Sequence, residues 1–119
     1  MTIQLKSEFG SISVSHDCIA TMAGSAAMEC YGLVGMASRN GLKDGIAVLL
    51  RRDNWTKGVE ITQVNKDLCI NLYIIVSYGT KISEVANNIR ARVKYVLNDV
   101  VGLDVHEVNI FVQDVRVSI

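Results

Sequence analysis

Alternating apolar and polar positions along the chain predict four β-strands. A short strand covers residues 8–14, a second opens at Gly58, and the last covers residues 105–117. The longest strand covers residues 68–78, and one face of it is marked by alternate apolar residues: Leu68, Ile70, Leu72, Ile74, Val76 and Tyr78. The turn residues Asn65-Lys66-Asp67 separate the second and third strands, so these two form a hairpin.

Apolar residues at helical spacing predict two helices. The first begins after Ser15, a residue suited to capping, has Asp17 in its first turn, and is closed by Gly32. The second is terminated by Gly102 in a left-handed conformation. One apolar stripe defines the second helix: Ile82, Val85, Ala86, Ile89, Val93, Val96, Leu97 and Val100.

The stretch over residues 33–57 has no clear period. Asn40-Gly41 indicates a turn, and Ile46, Leu49 and Leu50 fit a short amphipathic helix. A strand over residues 47–50 is the alternative, because periodicity alone does not decide so short a run. We treat residues 33–57 as an irregular or short-helix insert.

The order β-α-(insert)-β-β-α-β predicts a single α+β domain over residues 1–119. Two long helices on one face of a four-stranded sheet form a two-layer sandwich. A split βαβ, ferredoxin-like arrangement is the simplest topology for this order.

The charge balance disfavours a nucleic-acid partner. Lys plus Arg and Asp plus Glu both number 12, so the net charge is zero and no general basic field is present. An RNA-recognition module, which has the same element order, is therefore a distant alternative. No run approaches ~18 apolar residues, and the first residues lack the apolar segment of a secretory signal, so we expect a cytoplasmic protein without direct membrane insertion.

Chemically active residue types are few and scattered. Cys18, Cys30 and Cys69 fit neither a disulfide framework nor a paired-cysteine metal site, and His16 and His106 fall on different elements. No nucleophile, phosphate-binding or zinc-protease motif is present. We therefore expect no metal, no cofactor and no enzymatic activity.

The side of the sheet opposite the helices is the first candidate for function. Tyr73, Ile75, Phe111 and Val115 fall on this outer face, among polar neighbours. Aromatic residues with few charges are typical of interface cores. The alternative is that residues 33–57 fold over the face and bury it.

Basic residues near Trp55 form a second candidate. Arg51 and Arg52 precede this tryptophan, with other Lys and Arg residues nearby in the sequence. Such a group is either a solvated charge cluster or a surface for an acidic partner.

Several segments together resemble the alkaline shock protein, or envelope stress response, family of Gram-positive bacteria. They are GSISVS at 10–15, YGLVGM at 31–36, KGVEI at 57–61, LYIIVSYGTKI at 72–82 and VNIFVQDVRV at 108–117. The family pattern often has Gly where Asp114 stands, so the backbone there is expected to differ.

The resemblance implies a small cytoplasmic protein linked to envelope stress, without recognised catalytic residues. It also implies a homo-oligomer or a partner protein, since some members self-associate or are held at the membrane by a separate anchor protein. The branch that this chain looks like is often encoded beside a dihydroxyacetone-kinase-like protein of fatty-acid phosphorylation. That protein is a possible partner, and the chain would then be its accessory protein.

Overall fold

A computed structural model describes residues 2–43, 46–50, 52–65 and 67–117 of the chain. The strands are β1 (Thr2–Ser7), β2 (Gly10–Ser15), β3 (Leu33–Lys43), β4 (Ile46–Leu49), β5 (Val59–Val64), β6 (Asp67–Ser77) and β7 (Val105–Arg116). The helices are α1 (His16–Met28) and α2 (Ile82–Tyr95), with a 3₁₀ helix over Arg52–Gly58 and a π-helical extension of α2 over Val96–Val101. The predicted α+β class is confirmed.

The main sheet is built around β6. On one edge, β7 runs parallel to β6, with Leu72 opposite Ile110. On the other edge, β5 and β3 lie end to end, both antiparallel to β6: β5 pairs with its first half and Met36 of β3 lies opposite Ile74. Because β4 adds to β3, the described main sheet has five strands, one more than predicted. The predicted β5–β6 hairpin is confirmed.

The first predicted strand does not join the main sheet. β2 pairs with β1 in a separate two-stranded sheet, so the ferredoxin-like topology is wrong. Five of the six residues of β2 are exposed, and its alternate positions are serines. Such a strand has too little apolar surface for the interior of a sandwich. The hairpin rests on the core through Ile3, Leu5 and Val14.

Both helices cover one face of the main sheet, as predicted. The β6 residues Ile70, Leu72, Ile74 and Val76 are fully buried on that face. They pack in one cluster with buried residues of the two helices: Ile19, Ala20, Ala23, Ala26, Ala27, Val85, Ile89 and Val93. The periodicity therefore identified the centre of the helix-side core. The predictions for Tyr78, Ile82 and Val100 are wrong, because these stripe residues at the ends of β6 and the second helix are 71%, 42% and 63% exposed.

The ends of the helices follow local chemistry. The Ser15 hydroxyl accepts a hydrogen bond from the Cys18 N–H at 3.1 Å, which caps α1. The chain then turns through Gly32, at φ +89°, and the Gly32 carbonyl accepts a hydrogen bond from Ser77 N–H at 2.9 Å. After α2, the π-helical extension ends at Gly102, which is left-handed as predicted.

Residues 33–57 are more regular than predicted. They contain β3, β4 and the 3₁₀ helix, so the short helix over Ile46–Leu50 is wrong and the alternative strand is correct within one residue. β5 pairs with the same edge of β6 as β3, beyond the point near Ala37 where the pairing of β3 ends. The two strands lie close together there, because a Cβ on Gly58 would lie 2.7 Å from the Ala37 carbonyl oxygen.

The β3–β4 hairpin then crosses the outer face of the sheet. β4 approaches β7, although β3 and β7 pair with opposite edges of β6. Since the helices fill the inner face, β4 reaches β7 over the other side. Part of the segment that we treated as an insert therefore covers the outer face.

Candidate functional site

The outer face carries a stacked aromatic pair. Tyr73 on β6 and Phe111 on β7 are register partners, and their rings lie 5.0 Å apart between centroids at an interplanar angle of 15°. Tyr73 is half-buried, whereas Phe111 is 42% exposed. The pairing of β6 with β7 thus holds the two rings in place.

A row of polar side chains crosses the sheet beside this pair. Asn71 Nδ2 donates to Glu60 Oε1 at 2.9 Å, and Asn109 Nδ2 donates to Asn71 Oδ1 at 2.9 Å. Asn109 Nδ2 also donates to Glu107 Oε1 at 3.0 Å. The row joins β5, β6 and β7 on the outer face and places a carboxylate at each end. These carboxylates can accept further hydrogen bonds from a ligand.

The other end of the outer face is covered by the protein itself. Ile75 is fully buried in a small cluster with Ala37 of β3, and Val34 and Tyr73 pack against it. The two alternatives drawn from the sequence therefore each hold for part of the face. β3 buries Ile75, and the ring of Phe111 stays open to solvent.

The prediction that Val115 lies on the outer face is wrong. Val112 is opposite Ile74 but Asp114 is opposite Ile75, so Gln113 is an extra residue in β7. Because side chains alternate along a strand, one extra residue moves all later ones to the other face. Val115 therefore packs against the helix-side core.

Asp114 takes the outer position instead. Its Oδ1 accepts a hydrogen bond from the Val115 N–H at 2.8 Å, and its Oδ2 lies 3.2 Å from Arg116 Nε. The irregular backbone thus coincides with the position where the sequence departs from the family pattern.

Of the candidates near Trp55, only Trp55 itself has a described side chain. Arg51 and the side chain of Arg52 lie outside the described residues, and the backbone of Arg52 begins the 3₁₀ helix. Trp55 is half-buried against the helix-side core, where a Cβ on Gly24 would lie 3.3 Å from Trp55 Cβ. Trp55 thus packs against α1 on the helix side of the sheet, opposite the face that carries Tyr73.

Comparison with known proteins identifies the family. A profile of the alkaline shock protein 23 family, described as having a cell envelope-related function, matches residues 4–117. The chain belongs to this family. The resemblance drawn from the sequence segments is thereby confirmed.

Three curated members of the alkaline shock protein 23 family are similar to this chain. Uncharacterized protein YloU of Bacillus subtilis (strain 168) is 52% identical over 118 residues, which are 99% of this chain and 98% of the relative. Uncharacterized protein Spy1614 of Streptococcus pyogenes serotype M6 is 42% identical, over 98% and 97% of the two chains. Uncharacterized protein YqhY of Bacillus subtilis is 25% identical, over 90% and 78%. No solved structure matches the chain significantly.

Three further properties of the described residues concern metal binding, membrane crossing and the pKa of a cysteine. Within the described residues, no group of three or more His, Cys, Asp or Glu side chains could hold a metal ion. No helix in that part of the chain is long and apolar enough to cross a membrane. Burial raises the pKa of the Cys30 thiol, while Arg92 partly lowers this pKa and Glu29 raises it.

One feature of the site was missed in the sequence, the hydrogen bond between Asn71 and Asn109, which are register partners. The residues Arg90, Arg92 and Lys94 form a second basic group in the sequence, and the structure places Arg90 and Lys94 on α2 beside β7. Parallel pairing of β6 with β7 creates the hydrogen-bonded row, and it joins segments far apart in the chain.

Proposed function

We propose that this protein is a non-catalytic protein-interaction module with a cell envelope-related role, and that it associates through the outer face around Tyr73 and Phe111. The family's described function supports the envelope-related part. The stacked aromatic pair, with Phe111 42% exposed, supports the choice of surface.

The energetics favour a contact surface. An aromatic side chain can bury roughly 200 Å², so the exposed 42% of Phe111 corresponds to about 80 Å². At about 25 cal/mol per Å², covering it contributes about 2 kcal/mol, which is the size of an interface hot spot. Stacking on Tyr73 already limits the motion of the ring, so little side-chain entropy is lost on binding.

The polar row complements the aromatic pair. Glu60 and Glu107 can accept hydrogen bonds from a partner, while Asn71 and Asn109 hold them in place. An apolar anchor beside aligned polar groups is the usual division between affinity and specificity in an interface. The partner is a second copy or another protein, and the dihydroxyacetone-kinase-like protein is the first one to test.

The test replaces both rings, as Tyr73→Ser with Phe111→Ser. The matched control is Phe9→Ser with Tyr31→Ser, because Phe9 and Tyr31 are 97% and 86% exposed and lie elsewhere. Circular dichroism reports folding. Sedimentation velocity at several concentrations reports self-association, and calorimetry with the purified kinase-like protein reports partner binding.

The proposal requires that the outer-face variant stays folded and loses association while the control keeps it. Association equal to that of the parent would refute the outer face as the contact surface. Unfolding of the variant would mean that the two rings belong to the core. A photoreactive phenylalanine analogue at position 111, with position 9 as control, keeps the question testable in that case.

A further inference from the structure

The free edge of β7 is a second feature of the main sheet. β7 has 12 residues, and in the described part of the chain it pairs with β6 alone. Its other edge therefore presents backbone N–H and C=O groups in a row between Val105 and Val115, whose own N–H groups already donate to Asn98 Oδ1 and Asp114 Oδ1. Such an edge can accept an added strand from another chain.

A groove runs along this edge between β7 and α2. Two depressions of about 340 Å³ and 380 Å³ lie there. Both are lined by Asn87 and Arg90 of α2 and by Val108 and Asn109 of β7, so they are continuous. A strand added to β7 would have α2 along one side.

The groove is basic on its helix side. Arg90 and Lys94 are exposed and line it, and neither forms an ion pair with any residue that the structure describes. The adjacent Arg92, by contrast, is held by Glu29 at 2.8 Å. The lining contains one carboxylate, Glu107, which already accepts a hydrogen bond from Asn109.

The basic side chains of the groove favour a different protein over a second copy of this chain as the source of the added strand. Antiparallel pairing of two β7 edges about a two-fold axis would bring two α2 helices side by side. Arg90 and Lys94 of both copies would then lie near one another, and like charges across an interface oppose association. A strand with carboxylates on its helix-facing side meets the opposite charge.

We propose that the groove between α2 and β7 binds an extended acidic segment of a partner protein, which adds to β7 as a further strand. This inference rests on the proposed function and specifies the chemistry of the partner. Phe111 lines one end of the groove, so the same partner can also cover the exposed ring.

The experiment selects ligands from a displayed library of random dodecapeptides against the full chain. We expect the enriched peptides to carry Asp or Glu at alternate positions. N-methylation along one such peptide should abolish binding at every second residue, because alternate N–H groups bond to the edge strand.

Charge variants locate the binding site. Arg90→Glu with Lys94→Glu should weaken an enriched acidic peptide by about tenfold or more, since two ion pairs become repulsive. Lys6→Glu with Lys57→Glu makes the same change in net charge at exposed positions elsewhere, and we expect at most a small loss.

Several results would overturn the inference. They are a selection that enriches no peptide, enriched peptides that are neutral or basic, an N-methyl scan without the alternate pattern, and equal effects of the two charge variants. Concentration-dependent dimers whose β7 amides become protected from exchange would assign the edge to a second copy. Loss of binding in the Tyr73/Phe111 variant alone would refute the groove and retain the proposed function.

Discussion

Gly32 makes a sharp test of how α1, β3 and α2 meet. Its φ is +89°, and an ideal Cβ would lie 2.7 Å from Val85 Cγ2 and 3.3 Å from Thr80 Cγ2. We expect Gly32→Ala to destabilise the protein through two separate effects. One is the left-handed backbone, and the other is the missing space for a methyl group.

Gly79 separates these effects. Its φ is +92°, but a Cβ there would meet no atom within 4 Å. Gly79→Ala should therefore cost only the backbone term, about 1–2 kcal/mol. Carbon atoms prefer a separation of roughly 3.5–4.0 Å, so the methyl on residue 32 adds overpacking of about 1–3 kcal/mol. The expected total for Gly32→Ala is about 2–5 kcal/mol.

A double-mutant cycle isolates the contact. Val85→Ala removes both of the valine methyl groups that a Cβ on residue 32 would meet, at 2.7 and 3.5 Å. In that background the cost of Gly32→Ala should fall towards that of Gly79→Ala, although the contact with Thr80 Cγ2 at 3.3 Å remains, and the favourable coupling should be about 1–3 kcal/mol. Urea unfolding followed by circular dichroism measures all the free energies.

Two results would refute this reasoning. If Gly32→Ala and Gly79→Ala cost the same, the close approach of Gly32 to α2 is wrong. If the cost of Gly32→Ala is unchanged by Val85→Ala, the strain is not located at Val85.

Three further predictions test the core, a helix cap and a titrating group. Leu72→Ala and Ile89→Ala, both at fully buried positions, should each lower the free energy of unfolding by about 2–5 kcal/mol, and unchanged urea midpoints would show that their assignment to the core is wrong. Ser15→Ala removes the acceptor for the Cys18 N–H and should cost about 1 kcal/mol; a loss below the error of the unfolding measurement would contradict the capping role. Because burial raises the pKa of the Cys30 thiol, the folded state keeps its proton where the unfolded thiol, with a pKa of about 8.5, has begun to lose it. Stability should therefore fall as the pH rises above that value, and Cys30→Ala should reduce the fall in urea unfolding series from about pH 8 to about pH 10; identical slopes in the two proteins would exclude this origin.

The sequence predicted those helices and strands whose apolar residues recur at one regular spacing and pack against a single core. Leu72 and Ile89 are clear cases, since each lies at the centre of a long stripe whose central members are buried, whereas the end members Tyr78, Ile82 and Val100 are exposed. Gly102 was predictable for a similar reason, because a glycine directly after an apolar stripe is a local signal for the end of a helix.

Long-range pairing was not predictable in the same way. No local pattern indicates that β3 and β5 share one edge of β6, or that β7 runs parallel to it. β1 was missed because its apolar positions Ile3 and Leu5 are too few to identify a strand. β1 pairs with β2 in a small separate sheet.

The candidate site was predicted up to the irregularity in β7. Tyr73 and Phe111 were placed on one face, because strict alternation holds from Glu107 to Val112. The extra residue Gln113 breaks this alternation and carries Val115 to the other side. An inserted residue leaves no trace in the period of a single short strand, so local patterning could not locate it.

The central position of β6 also has consequences for the order of folding and for local unfolding of the native protein. Its hairpin with β5 needs only a short loop, whereas β3 and β7 are far from it in sequence and must close long loops. We therefore expect the β5–β6 hairpin to form early and to serve as the surface on which β3 and β7 add, one on each edge. Amide protons of β6 should then exchange only in global unfolding, while the β1–β2 hairpin, with its own hydrogen bonds and few core contacts, should open and close independently of the rest.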